Sequence, residues 1–193
     1  MRFLNIGCGI NPTKIKGEDW TNIDPNPQVE GVDYGVLPFL KFKANTFEYA
    51  FCHHVLEHTK SSLKENLEDI YRVLTPNGIL EAHVPHFAFH GAICHPEHVR
   101  YFDIHTFMHF TPKVLDDPQA NLYPKPNCRF ELVSCEYRYR ETDHTNTKLN
   151  PLKMLLIRPI NWVANHHRDF FDRMFCYWVG GCEEIVVKMR AIK

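Results

Sequence analysis

Residues 4–9, Leu4-Asn5-Ile6-Gly7-Cys8-Gly9, decide how the rest of the chain is read. With Arg2 and Phe3 they make a short apolar run that ends in glycine. Such a run reads as a buried strand that stops in a tight backbone turn. Glycine serves where φ must be positive, or where a side chain would block a ligand. A second strand, Trp20-Thr21-Asn22-Ile23-Asp24, closes on an acid 15 residues past Gly9. Ligands of doubly wound folds sit outside the carboxyl ends of the strands. An acid placed there accepts the hydroxyl hydrogens of a ribose. Gly7, Gly9 and Asp24 therefore outline a nucleoside site.

Outward from this start, strand and helix alternate. Val32 to Val36 reads as a short extended piece and Phe47 to Cys52 as a buried strand. Ser61 to Leu74 has apolar residues at 63, 67, 70, 71 and 74, which is helical spacing, with Ser61 or Ser62 as its cap. Thr75-Pro76-Asn77-Gly78 reads as the turn that stops it, and Ile79 to Val84 as the next strand. Arg129 to Tyr139 and Glu183 to Ala191 read as two further strands, with one or two helices between 151 and 178. The pattern breaks between His86 and Asn127, where an irregular insertion with one short helix near His105 to Phe110 is expected. The fold class expected is α/β: a single Rossmann-like domain over 1–193, doubly wound, with a mostly parallel sheet and an antiparallel C-terminal strand.

Composition narrows the function. A formal net charge of -1 disfavours a broad electrostatic grip on nucleic acid. No stretch of about 18 apolar residues predicts a membrane span. The seven cysteines form no CxxC pair, and no secretory signal opens the sequence, so reduced thiols and a cytoplasmic location are expected. Histidine is abundant, with 13 residues.

The run Gly7-Cys8-Gly9-Ile10-Asn11-Pro12 lacks the third glycine of a dinucleotide fingerprint, which disfavours a nicotinamide oxidoreductase. S-adenosylmethionine carries no phosphate and needs only backbone groups near the first turn. Leu4 to Gly9 resembles the first motif of class I S-adenosylmethionine-dependent methyltransferases, and Trp20 to Asp24 resembles their second. Asp33-Tyr34-Gly35-Val36-Leu37-Pro38-Phe39 is similar to a DxxxLPF segment of that family, and Phe47 to Phe51 to SFDxI with Glu48 for Asp. His54-Val55-Leu56-Glu57-His58 matches HVLEH, and Arg72 to Gly78 resembles RVLKPGG with Asn77 for glycine. Val84-Pro85-His86 and His95 to Phe102 resemble a VPHF…DPTHxRxF segment of one branch, with His95 in place of Asp. The resemblance covers residues 2–112 and says nothing specific about the substrate.

The resemblance implies S-adenosylmethionine as cofactor. It implies that Asn5, Ile6, Gly7, Cys8 and Gly9 line the methionine moiety and that Asp24 holds the ribose. It also implies that Pro25, Asp33 and Tyr34 lie at the adenine, and that Cys52 and His53 close the site near the sulfonium. Methyl transfer needs alignment of the acceptor and, for an oxygen or nitrogen acceptor, removal of a proton, for which histidine is suited. The candidates are His54 and His86 at strand ends, then His98 and Tyr101 in the insertion. The function expected is methyl transfer to an oxygen or nitrogen of a small-molecule or sugar-type (glycan) acceptor. The alternatives are a metal-assisted or catalytically silent protein of the same fold, or a nucleic-acid methyltransferase. His83 with His86, or His95 with His98, would be the start of a metal site, but no closed zinc pattern is present and no metal is assigned. Leu152 to Val163 is expected to pack on its own sheet, with a membrane, partner or homodimer contact as the alternatives.

Overall fold

In a computed structural model, residues 1–10, 12–13, 19–120, 125–139 and 151–193 are described. Most of the turn between Gly7 and Asp19, and Tyr123 of the insertion, lie outside them. The strands are β1 (Arg2–Ile6), β2 (Asp19–Asp24), β3 (Val32–Tyr34), β4 (Phe47–His53), β5 (Leu74–Val84), β6 (Phe130–Arg138) and β7 (Glu184–Ala191). They form one sheet in the order β3-β2-β1-β4-β5-β7-β6. β1 to β5 run parallel to one another, and β7 runs antiparallel to both β5 and β6. The expected Rossmann-like α/β class with an antiparallel last strand is therefore observed. Chain order steps one way from β1 to β3 and the other way from β4 to β5. A crevice opens where the order reverses, at the carboxyl ends of β1 and β4.

Apolar side chains on these strands build the core. Leu4, Ile23, Ala50, Leu80, Ala82 and Val187 are fully buried. Helix α1 (Leu63–Val73) buries Leu67, Ile70 and Val73 and starts on a Ser62–Glu65 capping box. The box satisfies two otherwise unpaired backbone groups, an arrangement that stabilises a helix start by about 1 kcal/mol. Asp69 of α1 accepts the Leu40 amide at 2.7 Å, and Arg72 donates to the Phe42 and Leu40 carbonyls at 2.6 and 2.7 Å. These bonds pin the segment that follows β3 and so fix one wall of the crevice.

Three expectations need correction. Thr75 to Gly78 does not separate helix from strand, because β5 already pairs at Leu74 with Phe47. The four residues are an excursion inside β5: pairing moves from Phe47 to Tyr49 on β4 and from Leu74 to Ile79 on β5. Asn77 adopts φ 63° there. The insertion is also more helical than expected: α3 (Ile104–Met108) is the short helix anticipated near His105, but α2 (His90–Cys94) and α4 (Pro112–Leu115) accompany it. Helices of four or five residues show no periodicity in sequence, and tertiary contacts hold them. Finally, α5 (Pro151–His166) lies only partly against the sheet. Ala164 is buried, whereas Leu152, Leu155, Leu156 and Trp162 are exposed. Among the described residues, no helix is long and apolar enough to cross a membrane.

Candidate active site

Gly7 closes β1 with φ +68°, and its amide donates to the Ile23 carbonyl at 2.8 Å. The Cys8 amide donates to the same carbonyl at 3.1 Å. A Cβ at Gly7 would stand 2.4 Å from Val55 Cγ2, so only glycine lets the turn pass this close to the segment after β4. Gly9, with φ +57°, donates its amide to Asp24 Oδ2 at 2.8 Å, and Asn26 donates to Oδ1 at 2.8 Å. A carboxylate offers about four lone-pair positions, so two remain for further donors such as the two hydroxyls of a ribose. The turn is braced from below. Asn5 Nδ2 donates to Asn22 Oδ1 at 3.0 Å and to Thr13 Oγ1 at 2.9 Å, and Asn22 Oδ1 also accepts the Thr13 amide at 2.8 Å.

A cavity of about 650 Å³ lies at this edge of the sheet. Gly7, Asp24, Pro25, His54 and Val55 line it together with Leu37, Pro38 and Phe39. Its far wall is His58, Thr59, Lys60 and Ser61. Of the expected cofactor residues, Gly7, Asp24 and Pro25 are thus brought together. Cys8 and Gly9 belong to the same turn without lining the cavity. Asn5, Ile6 and Cys52 are buried, and their side chains support the strands rather than face the crevice. Burial pushes the Cys52 thiol pKa up, so it stays a neutral core group. Asp33 and Tyr34 stand exposed on β3, with Lys41 over the Tyr34 ring, outside the cavity lining.

Among the four expected catalytic residues, only His54 lines the cavity. It follows β4 directly and takes φ 52°, a left-handed conformation that costs a non-glycine residue about 1–2 kcal/mol. That turn aims its ring at two acids. His54 Nδ1 lies 2.9 Å from Glu57 Oε1, and Nε2 lies 3.5 Å from Glu184 Oε1. Burial alone would lower the His54 pKa, but the bonds to Glu184 and Glu57 outweigh it and raise it to about 9. Glu184 Oε1 also meets His53 Nε2 at 3.1 Å and His83 Nδ1 at 3.0 Å, while Arg138 holds Oε2 at 2.9 Å. Burial would raise the Glu184 carboxyl, yet the three histidines hold it well below the usual carboxylate range. Glu57 is fully buried, and its Oε2 has no hydrogen-bond partner among the described residues.

His86 is not in the crevice. It has no exposed surface, accepts the Ala88 amide on Nδ1 at 3.1 Å, and contacts Asp172 Oδ1 through Nε2 at 2.9 Å. An Nδ1 that accepts leaves the proton on Nε2, so His86 donates to Asp172. Tyr137 donates to the other Asp172 oxygen at 2.8 Å and accepts the Ile104 amide at 3.2 Å. The group joins β5, β6, the insertion and the C-terminal helices. His98 Nδ1 meets the Ala92 carbonyl at 2.9 Å, and its ring packs on His58 and His95. Tyr101 is 51% exposed and does not line the cavity.

Glu184 and Asp172 were missed in the sequence. For Glu184 a signal existed: an acid directly before the apolar run Ile185-Val186-Val187 is costly unless it is paired. Asp172 gave no signal, because its partner lies 86 residues away.

Residues 4–82 match a family model for a methyltransferase domain. No curated protein matches the chain. Solved structures share the fold across almost its full length. An S-adenosylmethionine-dependent methyltransferase from Archaeoglobus fulgidus is 17% identical with a TM-score of 0.56, over 98% of this chain and 85% of its own. The YcgJ protein from Bacillus subtilis is 14% identical with a TM-score of 0.56, over 100% and 92%. An S-adenosylmethionine-dependent methyltransferase from Methanosarcina mazei is 16% identical with a TM-score of 0.53, over 99% and 92%.

Proposed function

We propose that the chain is a class I S-adenosylmethionine-dependent methyltransferase that methylates an oxygen or nitrogen of a small-molecule or sugar-type acceptor, a reading supported by the methyltransferase-domain match over residues 4–82 and by the shared fold. One observation carries this reading: Gly7, Asp24, Pro25 and His54 line a single crevice of about 650 Å³. That volume suits a small ligand rather than a polymer, and its lining mixes apolar walls with a few polar points.

The residues present fit the cofactor. Gly7 lets the turn close against Val55 at the edge of the crevice, and Asp24 keeps unused acceptor positions there. Glu57 Oε2 adds an orphaned buried acceptor next to His54. When bound, S-adenosylmethionine supplies a methyl group already activated by its sulfonium. The chain then has to bind, orient and handle a proton. Asp24 would hold the ribose hydroxyls, the Gly7 turn would offer backbone groups to the ligand, and Pro25 and Phe39 would give the base an apolar wall.

Proton handling falls to His54. Held by Glu57 and Glu184, it remains an imidazolium at neutral pH and accepts a proton readily only as the pH approaches about 9. Below that, Nδ1 stays on Glu57, and the Nε2–H, whose contact to Glu184 is the longer one at 3.5 Å, is the donor that would turn to an acceptor oxygen or nitrogen. His86 acts from behind as a positioning residue that fixes the end of β5.

The test is transfer of a labelled methyl group from S-adenosylmethionine to a panel of small hydroxyl and amine acceptors, sugars included, with an oligonucleotide as comparison. Labelling of a small acceptor that Asp24→Ala abolishes and His54→Gln slows supports the reading. Labelling of the oligonucleotide alone replaces it with the nucleic-acid alternative. Binding of S-adenosylhomocysteine without transfer to any acceptor supports the silent alternative.

A further inference from the structure

Arg100 and Val99 dock the insertion onto the segment that walls the crevice. Arg100 donates to the Leu56 carbonyl at 2.7 Å and also bonds the Ser61 carbonyl, and the Val99 amide donates to the Glu57 carbonyl at 2.9 Å. The docking brings His95 and His98 against His58. The ring centroids lie 5.2 Å apart for His58 and His95, 4.7 Å for His58 and His98, and 4.5 Å for His95 and His98. One nitrogen from each ring falls within 4.8 Å of the other two.

We propose that His58, His95 and His98 form a binding site for a divalent transition metal of the zinc class at the rim of the crevice. Three imidazoles are a preferred donor set for zinc, and three protein ligands leave a further position open. Bonds of about 2.0–2.1 Å at tetrahedral angles place ligand nitrogens roughly 3.3 Å apart, so small ring rotations close the observed spacing. The surrounding backbone already orients the rings. The Ala92 carbonyl accepts from His98 Nδ1, which leaves Nε2 with a free lone pair, and the His58 ring hydrogen-bonds to the Glu97 backbone. Carbonyl partners of this kind fix the tautomer of metal-bound histidines. His95 Nδ1 accepts a 3.2 Å bond from the Glu97 amide, which it exchanges for the other tautomer if it ligates through Nε2. His53, His83 and Glu184 form a second cluster of the right size. There His53 Nε2 and His83 Nδ1 already face one Glu184 oxygen and His83 Nε2 bonds Glu81, so the cluster is closed on its own acids. The trio at the rim shares no such acid. His58 also lines the crevice, so a bound ion would border the acceptor space; that consequence rests on the proposed function, but the site itself does not.

The experiment uses tag-free, full-length protein stripped with a chelator. Cobalt(II) is titrated while visible absorption is followed, and zinc(II) is titrated against a chromophoric chelator. One equivalent per chain is expected. Losing a partner that merely orients a ligand costs 10–100-fold in affinity, so His95→Ala and His98→Ala should each weaken zinc binding by about 100-fold or more. His95 is exposed, so its variant should keep the wild-type melting profile. His53→Ala should leave zinc affinity unchanged. Absence of binding to the wild type, or loss that follows His53→Ala rather than His95→Ala, overturns the proposal. S-adenosylhomocysteine binding measured on the same samples reports on the cofactor crevice separately.

Discussion

Gly7→Ala tests the contact that shapes the crevice, and its cost can be built from two terms. The residue sits at φ +68°, where an L side chain costs about 1–2 kcal/mol. The new Cβ would lie 2.4 Å from Val55 Cγ2, and forcing a methyl into a filled site adds about 1–3 kcal/mol. The sum, about 2–5 kcal/mol, is a large part of a typical domain stability of about 5–15 kcal/mol. Val55→Ala alone removes two carbons from a half-buried side chain, a loss of about 1–2 kcal/mol. In the double variant the clash is gone while the backbone cost and the truncation remain, about 2–4 kcal/mol in all. The two changes should therefore couple favourably by about 1–3 kcal/mol. Urea unfolding of the four proteins gives the cycle, provided the slopes agree. S-adenosylhomocysteine affinity should fall in Gly7→Ala and recover in part in the double variant. Additivity within about 0.5 kcal/mol would mean that the two residues do not meet and that the crevice floor is built another way.

His54 should titrate near pH 9 by NMR, and Glu57→Gln should bring it down toward its ordinary value. Since the folded pKa lies above the unfolded one of about 6.5, the His54 contribution to stability is complete below pH 6.5. It fades as the pH rises through about 9, and solvent around a ring 39% exposed keeps the loss to about 1–2 kcal/mol. Asp172→Ala strands two buried donors, His86 and Tyr137, and should cost about 3–5 kcal/mol in urea unfolding, with Asp172→Asn milder. A loss under about 1 kcal/mol would show that the network is not structural. Asn22→Ala frees both Thr13 and Asn5, so it should cost about 1–3 kcal/mol and weaken S-adenosylhomocysteine binding measured by calorimetry.

Local pattern made much of the fold legible. β1 and β4 are short, largely apolar runs with clear ends, β2 closes on Asp24, and α1 announces itself by period and by its Ser62 cap. Gly7 and Asp24 could be paired in advance because strand ends in this architecture converge. The short helices α2 and α4 carried no periodic signal, since helices this short are held by tertiary contacts. The roles of single polar residues were harder. Asn5 was expected to face the ligand, but an asparagine with Asn22 opposite it across the parallel register is drawn into a bond below the turn. His86 was expected in the crevice, and a buried acid from a distant helix claims it instead. His54 was placed correctly at a strand end, but its charge state depends on Glu184, which no local window contains.

The place of β7 has a consequence for the nascent chain. It is the last of the seven strands to leave the ribosome, yet it fills the gap between β5 and β6. Val84 must wait for Ile185, its partner in the register. At a synthesis rate of about 5–20 residues per second, the half-sheet ending in β5 stands with an open edge for about 5–20 s. An unpaired edge of that kind is a template for wrong pairing until β7 arrives. Glu184, the first residue of β7, arrives at the same moment, and the histidine cluster it organises can form only in a chain that has finished its sheet.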